Sequence, residues 1–311
     1  MSKENKAEAA APEQVKKRHG DRRDAYLIRD ADSMHVLQGY LLPNRADNEA
    51  LAIVDLDVTK ALEYLDRKNA QEPKYKYTLF HFIDAAIALT VHNRPKMNRY
   101  YCGNRYYQRR DITFSFVARR QFDDHSEEAL CVMTADRGGE EGICDQFHRK
   151  ITEFVHTVRS EKQKDGTTEQ MDFVTKVPRF IFKLAMKFIM FMDNHDLMPK
   201  AFFNVNPYYS TVFITNLGSI KLSAQYHHLA NFGTNSFFVT VSEKKLRPVF
   251  APDGSYEMRP MLDLGLTIDE RIADGYYFGK TIKLVRYIFD HPEVLDRPLG
   301  EPIAEEEYIG Y

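Results

Sequence analysis

Residues 264–286 constrain the fold of this chain more than any other stretch; they read LGLTIDERIADGYYFGKTIKLVR. The first of them alternate between apolar and polar types and favour a strand. A turn dense in charge follows at 269–275 and ends at Gly275. From Tyr276 onward the apolar residues return every three or four positions, which predicts a helix. Because a strand and a helix fix the turn on both sides, its side chains are the first candidates for a functional site.

Composition bounds the class of protein. The chain has 311 residues, of which 43% are hydrophobic and 28% charged, as expected of one large globular domain or two small ones. A net charge of −2 gives no overall basic field, so we predict no nucleic-acid partner. The three cysteines have no CxxC spacing, which argues against zinc and against a disulfide framework. We therefore predict a cytoplasmic protein without a metal.

The pattern along the chain divides it into three regions. Residues 1–24 are rich in charge and poor in large apolar residues, which predicts a flexible tail. A single domain is expected over 25–300, followed by an acidic tail at 301–311. Periodicity predicts strands over 51–58, 111–120, 130–135, 209–216, 235–241 and 261–268, and helices over 58–69, 77–92, 144–164, 178–198 and from Tyr276 to about Asp290.

The helix predicted over 178–198 is the most apolar of the chain. Arg179, Lys183 and Lys187 interrupt it every four residues, and its apolar run is too short to cross a membrane. One interpretation is a helix of the core or of a subunit interface. The alternative is a helix that contacts a membrane surface, since one of its faces is basic.

The turn at 269–275 resembles a motif of known acyltransferases. It reads Asp-Glu-Arg-Ile-Ala-Asp-Gly, whereas acyltransferase subunits of 2-oxo-acid dehydrogenase complexes usually carry Asp-His-Arg-x-x-Asp-Gly, and chloramphenicol acetyltransferase is similar. The residues that match that pattern are Asp269, Arg271, Asp274 and Gly275. Glu270 stands where the family has its catalytic histidine, and this departure limits what the resemblance implies about activity.

A second segment resembles the same family. Residues 214–218 read Ile-Thr-Asn-Leu-Gly, similar to the family's Ile-Ser-Asn-Leu-Gly, in which a hydroxyl stabilises the oxyanion of a tetrahedral intermediate. The resemblance gives that role to Thr215, with Asn216 as a structural neighbour. The alternative is a strand threonine whose hydroxyl bonds a local backbone group.

The resemblance implies a fold, an activity and an assembly. The fold would be α/β and chloramphenicol acetyltransferase-like, a mixed sheet with packed helices, and 25–300 would be the acyltransferase-like domain. The activity would be transfer of an acyl group between a coenzyme A thioester and an unknown small-molecule thiol or hydroxyl acceptor. The assembly would be a homotrimer with channels between subunits. No lipoyl domain is expected before the core, so the protein would be a stand-alone member.

Asp274 has a structural role in this scheme. The family's corresponding aspartate is a buried carboxylate that pairs with an arginine and fixes the loop. Arg271, Arg29 and Arg45 are the candidate partners, and sequence does not choose among them.

The identity of the base stays open at this point. An exposed glutamate with a pKa near 4.3 is a poor base for a thiol with a pKa near 8.5, so Glu270 would need burial to act. His227 and His228 follow the Thr215 segment, and either could supply an imidazole of suitable pKa. Two loop histidines, one of them packed, are the alternative. The competing function is a catalytically silent relative, either a trimeric scaffold or an acyl-CoA-binding protein.

Overall fold

A computed structural model describes residues 17–119, 128–160 and 178–311 of the chain. Residues 1–16 of the predicted tail and 161–164 of one predicted helix lie outside the described residues. In the described part, ten strands form a sheet of seven and a sheet of three, with helices packed against them.

The strands and helices are numbered in chain order. The strands are β1 Ala25–Leu27, β2 Glu49–Asp57, β3 Arg99–Cys102, β4 Arg105–Arg109, β5 Ile112–Arg119, β6 Glu128–Ala135, β7 Val212–Asn216, β8 Phe237–Val241, β9 Lys245–Phe250 and β10 Tyr256–Asp269. The helices are α1 Ser33–Leu41, α2 Thr59–Asn69, α3 Leu79–Asn93, α4 Ile143–Ser160, α5 Arg179–Asn194, α6 Lys200–Val205, α7 Gly275–Asp290 and α8 Glu305–Tyr308.

The large sheet is mixed. Its strand order is β2-β10-β8-β7-β5-β6, and β9 pairs with the first part of β10 as a hairpin. The pairs β5–β7 and β7–β8 are parallel, and the remaining pairs are antiparallel. The predicted α/β fold with a mixed sheet and packed helices is therefore confirmed.

The core lies between one face of this sheet and the helices. Alternate residues of β10, including Leu262 and Leu264, are buried with Phe82 of α3 and Leu284 of α7. Period-two burial places these strand residues on one face, as expected of a sheet that packs against helices on that side. The other face of β10 carries Gly265 and Thr267, and that of β8 carries Phe238 and Thr240.

The segment 221–236 crosses this second face. The backbone N–H of Gln225 donates to Thr240 Oγ1 on β8 at 3.1 Å, and the N–H of His227 donates to Thr267 Oγ1 on β10 at 3.3 Å. A side chain at Gly265 would lie 2.5 Å from the Gln225 carbonyl oxygen, so glycine is required for the segment to pass this close.

Parts of both predicted tails are packed against the domain. Asp21 and Arg22 are buried, and an Arg22 Nη donates to Asp193 Oδ1 of α5 at 3.3 Å. At the other end of the chain, Ile303 and Tyr308 are buried in the main core. Removal of their apolar surface from water favours this packing.

The apolar helix of the sequence is α5, and it is not a core helix of this chain. Most of its residues are exposed, and Asp193 is its buried residue. The core interpretation is therefore wrong for the single chain, although its position and Pro178 at its start are as predicted. Within the described residues, no helix is both long enough and apolar enough to cross a bilayer.

Candidate functional site

The charged turn joins β10 to α7. β10 ends at Asp269, a single 3-10 turn covers Glu270–Ile272, and α7 begins at Gly275. Glu270 and Gly275 are exposed. The turn thus presents the Glu270 carboxylate and the first turn of α7 at one end of the large sheet.

A buried ion pair holds this turn. Arg271 Nε donates to Asp269 Oδ1 at 2.8 Å, and Arg271 Nη2 donates to Asp269 Oδ2 at 2.6 Å. Both side chains are at most 1% exposed. Arg271 Nη1 also donates to the Leu42 carbonyl at 2.6 Å, and the guanidinium lies 4.7 Å from the ring centroid of Tyr101. This bidentate geometry fixes the direction in which the chain leaves β10.

Asp274 does not have the predicted role. It is exposed, and its carboxylate caps α7 by accepting the Tyr277 N–H at 2.8 Å. That backbone hydrogen bond, reinforced by the charge of Lys96, holds the pKa of Asp274 below its usual value. The buried carboxylate that pairs with an arginine is Asp269 instead. Of the candidate partners, Arg271 binds Asp269 directly, and Arg45 Nε approaches Asp269 Oδ2 at 3.8 Å.

The third candidate partner lies elsewhere. Arg29 Nη2 donates to Asp21 Oδ1 at 2.9 Å, near the start of the described chain.

The second motif lies at the end of β7. Thr215 and Asn216 are half-buried, and Asn216 Oδ1 accepts the Ser219 N–H at 3.2 Å, which begins a 3-10 turn. A side chain at Gly218 would lie 2.4 Å from the backbone carbonyl oxygen of Ser242. The glycine of Ile-Thr-Asn-Leu-Gly is therefore needed for the chain to turn against the end of β8.

The sheet register separates Thr215 from Glu270 within one chain. Thr215 pairs with Thr240 on β8, and Thr240 pairs with Gly265 on β10. Glu270 comes five residues after Gly265, which is roughly 17 Å along a strand. Two further strand spacings lie across the sheet. One chain alone does not bring the predicted oxyanion donor and Glu270 together.

His227 and His228 lie closer to the Glu270 end of the sheet. The His227 ring stacks on Phe238 with ring centroids 4.1 Å apart and planes 7° apart, and its Nδ1 lies 3.1 Å from the His228 carbonyl oxygen. The His228 side chain is 92% exposed, and its Nδ1 lies 3.4 Å from Glu49 Oε2. The Glu49 side chain is 12% exposed. The two histidines therefore differ: His227 is stacked on Phe238, whereas His228 is exposed and paired with Glu49.

Glu49 connects His228 to the charged turn. Its Oε1 accepts the Leu229 N–H at 2.6 Å, and in the β2–β10 ladder it is the direct partner of Asp269. Paired residues in an antiparallel ladder have Cα atoms about 4.5–5.5 Å apart. The backbones of Glu49, Asp269 and Glu270 are thus neighbours, and the His228 imidazole contacts the Glu49 side chain.

Sequence reasoning missed the roles of Glu49 and Asp269. A signal for Asp269 was present, because residues two apart at the end of a strand share a face, and Asp269 and Arg271 are so spaced. Glu49 had no local signal, since its partners are about 180 and 220 residues away in sequence. Among the described residues, no group of three His, Cys, Asp or Glu side chains is arranged to hold a metal ion.

Comparison with known proteins gives the class of fold. No protein-family model matches the chain. A curated relative is 24% identical over 247 residues, which are 78% of this chain and 46% of the relative: the lipoamide acyltransferase component of the branched-chain alpha-keto acid dehydrogenase complex of Bacillus subtilis. The chain thus spans about half the length of this relative.

Solved structures agree with that relative. The cubic core of a pyruvate dehydrogenase multienzyme complex superposes with a TM-score of 0.56 at 14% identity, over 84% of this chain and 88% of that one. A chloramphenicol acetyltransferase superposes with a TM-score of 0.50 at 10% identity, over 84% of this chain and 98% of that one. The chain has the chloramphenicol acetyltransferase-like fold. Its homologue and its structural neighbours are acyltransferases of 2-oxo-acid dehydrogenase complexes and chloramphenicol acetyltransferase-like proteins.

Proposed function

We propose that the chain is a coenzyme A-dependent acyltransferase of the 2-oxo-acid dehydrogenase acyltransferase type. The observation that carries this proposal is the placement of the two motifs: Thr215 lies at the end of β7, and the Asp-x-Arg-x-x-Asp-Gly turn lies at the end of β10 of this fold. The similarity to a lipoamide acyltransferase supports it. The acyl donor is an acyl-CoA, and the acceptor is a small thiol or alcohol.

The active form is proposed to be a homotrimer with its sites between copies. Within one chain, Thr215 is separated from Glu49, which contacts His228, by three strand spacings and four residues along the ladder. This separation supports the assembly, because an oxyanion donor and a base must both reach one carbonyl carbon. A cyclic arrangement lets the Thr215 end of one copy face the Glu270 end of the next. The solved cubic core supports the tendency of this fold to assemble. We propose the cytoplasm as the location, where the three buried cysteines stay reduced.

His228 is the base in this proposal, and Glu49 positions it. With Nδ1 directed at the carboxylate, Nε2 is left to take the proton of the acceptor S–H or O–H. The acceptor sulfur or oxygen then attacks the thioester carbonyl, and the Thr215 hydroxyl donates a hydrogen bond to the resulting oxyanion. Collapse breaks the carbon–sulfur bond, and the departing CoA thiolate receives the proton from the imidazolium. Glu270 is exposed and acts in this scheme by charge alone.

The test of the activity is formation of free CoA, separated by chromatography from a panel of short acyl-CoA thioesters, with dithiothreitol and dihydrolipoamide as thiol acceptors. Calorimetric titration with CoA is done on the same preparation. Acceptor-dependent formation of free CoA above the uncatalysed rate would support the proposal. Binding without turnover would favour the silent acyl-CoA-binding relative, which the replacement of histidine by Glu270 specifically suggests. If the protein shows no CoA binding and no turnover, the trimeric scaffold is the remaining function.

Three conservative variants and one histidine control decide which group is the base. His228→Asn should lower kcat by about a hundredfold or more with CoA binding retained. Glu49→Gln should lower it less and shift the pH profile, because it positions the imidazole without taking the proton. Glu270→Gln should leave turnover within a few-fold of wild type, and His227→Asn is the matched histidine control. A loss confined to Glu270→Gln would instead make that carboxylate the base.

A further inference from the structure

Among the residues that the structure describes, the polar contacts that hold helix α5 lie at its C-terminal end. There the Asp193 carboxylate accepts hydrogen bonds from an Arg22 Nη at 3.3 Å and from Tyr209 Oη at 3.0 Å, and an Arg22 Nη donates to the Asp193 carbonyl at 2.5 Å. Toward its N-terminus the helix is exposed on most sides. A helix anchored at one end and open along its length has a free face for a partner.

That free face is apolar and continuous. Phe180, Leu184, Phe188 and Phe191 are 75%, 69%, 61% and 51% exposed. Their spacing of four, four and three residues places them in one stripe along the helix. The stripe extends over most of the 16 residues of α5, about 24 Å at 1.5 Å per residue. Exposed patches of this kind mark interaction surfaces.

A stripe of positive charge lies beside the apolar one. Arg179, Lys183 and Lys187 recur every four residues, and all three are exposed. The acidic residue within α5 is Asp193, whose charge is compensated by Arg22. Since the whole chain has a net charge of −2, this concentration of positive charge is local to the helix. The free face therefore fits a partner that is apolar inside and anionic at its surface.

We propose that α5 docks on the surface of a bilayer that contains anionic lipid. An interfacial helix buries an apolar face at the level of the acyl-chain boundary while flanking lysines extend to the headgroup phosphates. The stripe lies on the outer surface of a single helix, so it can lie flat on a membrane surface. A second copy packed on the same face would bring two basic stripes together, and their like charges would repel each other. This inference does not depend on the proposed acyltransferase activity.

The experiment is flotation of the purified full-length protein with two sets of vesicles, one of phosphatidylcholine alone and one of phosphatidylcholine with phosphatidylglycerol. We expect binding to the anionic vesicles and weak binding to the neutral ones. A lysine near an anionic surface contributes a factor of about five to binding, so Lys183→Glu with Lys187→Glu should lower the partition coefficient by about thirtyfold or more. Phe180→Ser with Phe188→Ser should lower it by about tenfold or more.

The matched control reverses two exposed lysines elsewhere. Lys74→Glu with Lys76→Glu changes the net charge by the same amount in the loop before α3 and should leave binding within about threefold of wild type. All substituted side chains are exposed, and circular dichroism checks that each variant is folded. Absence of wild-type binding, or equal loss in the control, would overturn the proposal. If the α5 variants instead change the oligomer measured by light scattering and vesicles do not bind, the face belongs to a second copy.

Discussion

At the scale of single residues, the strongest determinant of the site is the buried pair Asp269–Arg271. A guanidinium removed from water is stable only while its carboxylate remains, because an unpaired buried charge is strongly unfavourable. Asp274, the motif residue expected to be buried and paired with an arginine, is exposed and caps a helix. The two aspartates of this turn thus contribute to stability in different ways: Asp269 through a buried ion pair, and Asp274 through an exposed helix cap.

This difference gives a matched pair of substitutions. Asp269→Asn should lower the free energy of unfolding by about 3–5 kcal/mol, because Arg271 would be left buried without its ionised partner. Asp274→Asn should lower it by less than about 0.5 kcal/mol, since asparagine is an equally good helix cap. Urea denaturation of both variants measures the comparison. Equal losses would show that the Asp269 pair does not hold the turn.

Asp84 gives a prediction about pH. It lies in α3 with no exposed surface, and burial raises the pKa of its carboxyl well above the usual value. Among the described residues, neither of its oxygens has a hydrogen-bond partner. The folded state therefore holds a proton that the unfolded state releases above a pH of about 4. Stability falls as pH rises from there toward the folded pKa, by about 1.4 kcal/mol per pH unit.

Asp84→Asn should remove this dependence, because the amide does not ionise. We expect the variant to match the wild type near pH 4 and to become progressively more stable than wild type toward pH 7. Urea denaturation at several pH values measures it. A constant difference between the two proteins across this range would mean that Asp84 does not bind the proton.

At the scale of elements, the segment 221–236 brings His228 toward the charged turn. Gly265 on β10 has no side chain and so leaves room for this segment to cross the sheet. Gly265→Ala would place a methyl group 2.5 Å from the Gln225 carbonyl oxygen and 2.5 Å from Thr240 Oγ1. Because one of these two obstacles is the backbone of the segment, the segment must move. We expect acyl transfer to fall by about tenfold or more, since a shift of about 1 Å in a catalytic group can reduce the rate by a hundredfold.

Gly279→Ala is the control for that substitution. A side chain at Gly279 meets nothing within 4 Å, and in the middle of α7 alanine should raise the free energy of unfolding by roughly 0.5–1 kcal/mol. Both variants are compared by formation of free CoA and by urea denaturation. If Gly265→Ala keeps wild-type turnover, the crossing segment does not position the base.

The elements themselves were largely predictable from sequence. Apolar periodicity located β5, β8, α3 and α7 to within about two residues, because each buries one regular face. α1, Ser33–Leu41, was not predicted, since its apolar side chains Met34 and Leu41 are exposed and no stripe faces a core. β10 is longer than predicted, because its first residues form an exposed hairpin with β9 rather than a buried strand.

At the scale of the whole molecule, the site was only partly predictable. The motifs around Thr215 and Glu270 were visible as local patterns, but their separation follows from the register of three strands. The partnership of His228 with Glu49 likewise depends on how 221–236 crosses the sheet. Such relations arise from tertiary packing, which a local pattern does not encode.

The proposed division of the site between copies can be tested directly with two inactive variants. Thr215→Ala removes the oxyanion donor, and His228→Asn removes the base; each alone should lower formation of free CoA by about a hundredfold. If one site takes Thr215 from one copy and His228 from the next, mixed trimers contain some interfaces with both wild-type residues. In a cyclic trimer that contains both variants, one interface of the three carries both wild-type residues.

Co-expression of the two variants under separate tags, with purification through both tags, should therefore restore about a third of wild-type activity per trimer. Mixing the separately purified trimers without subunit exchange is the control and should restore none. Light scattering gives the mass of the assembly in the same samples. Mixed trimers as inactive as either parent would place Thr215 and His228 in one chain's site or in no site, because complementation requires that the two residues come from different copies.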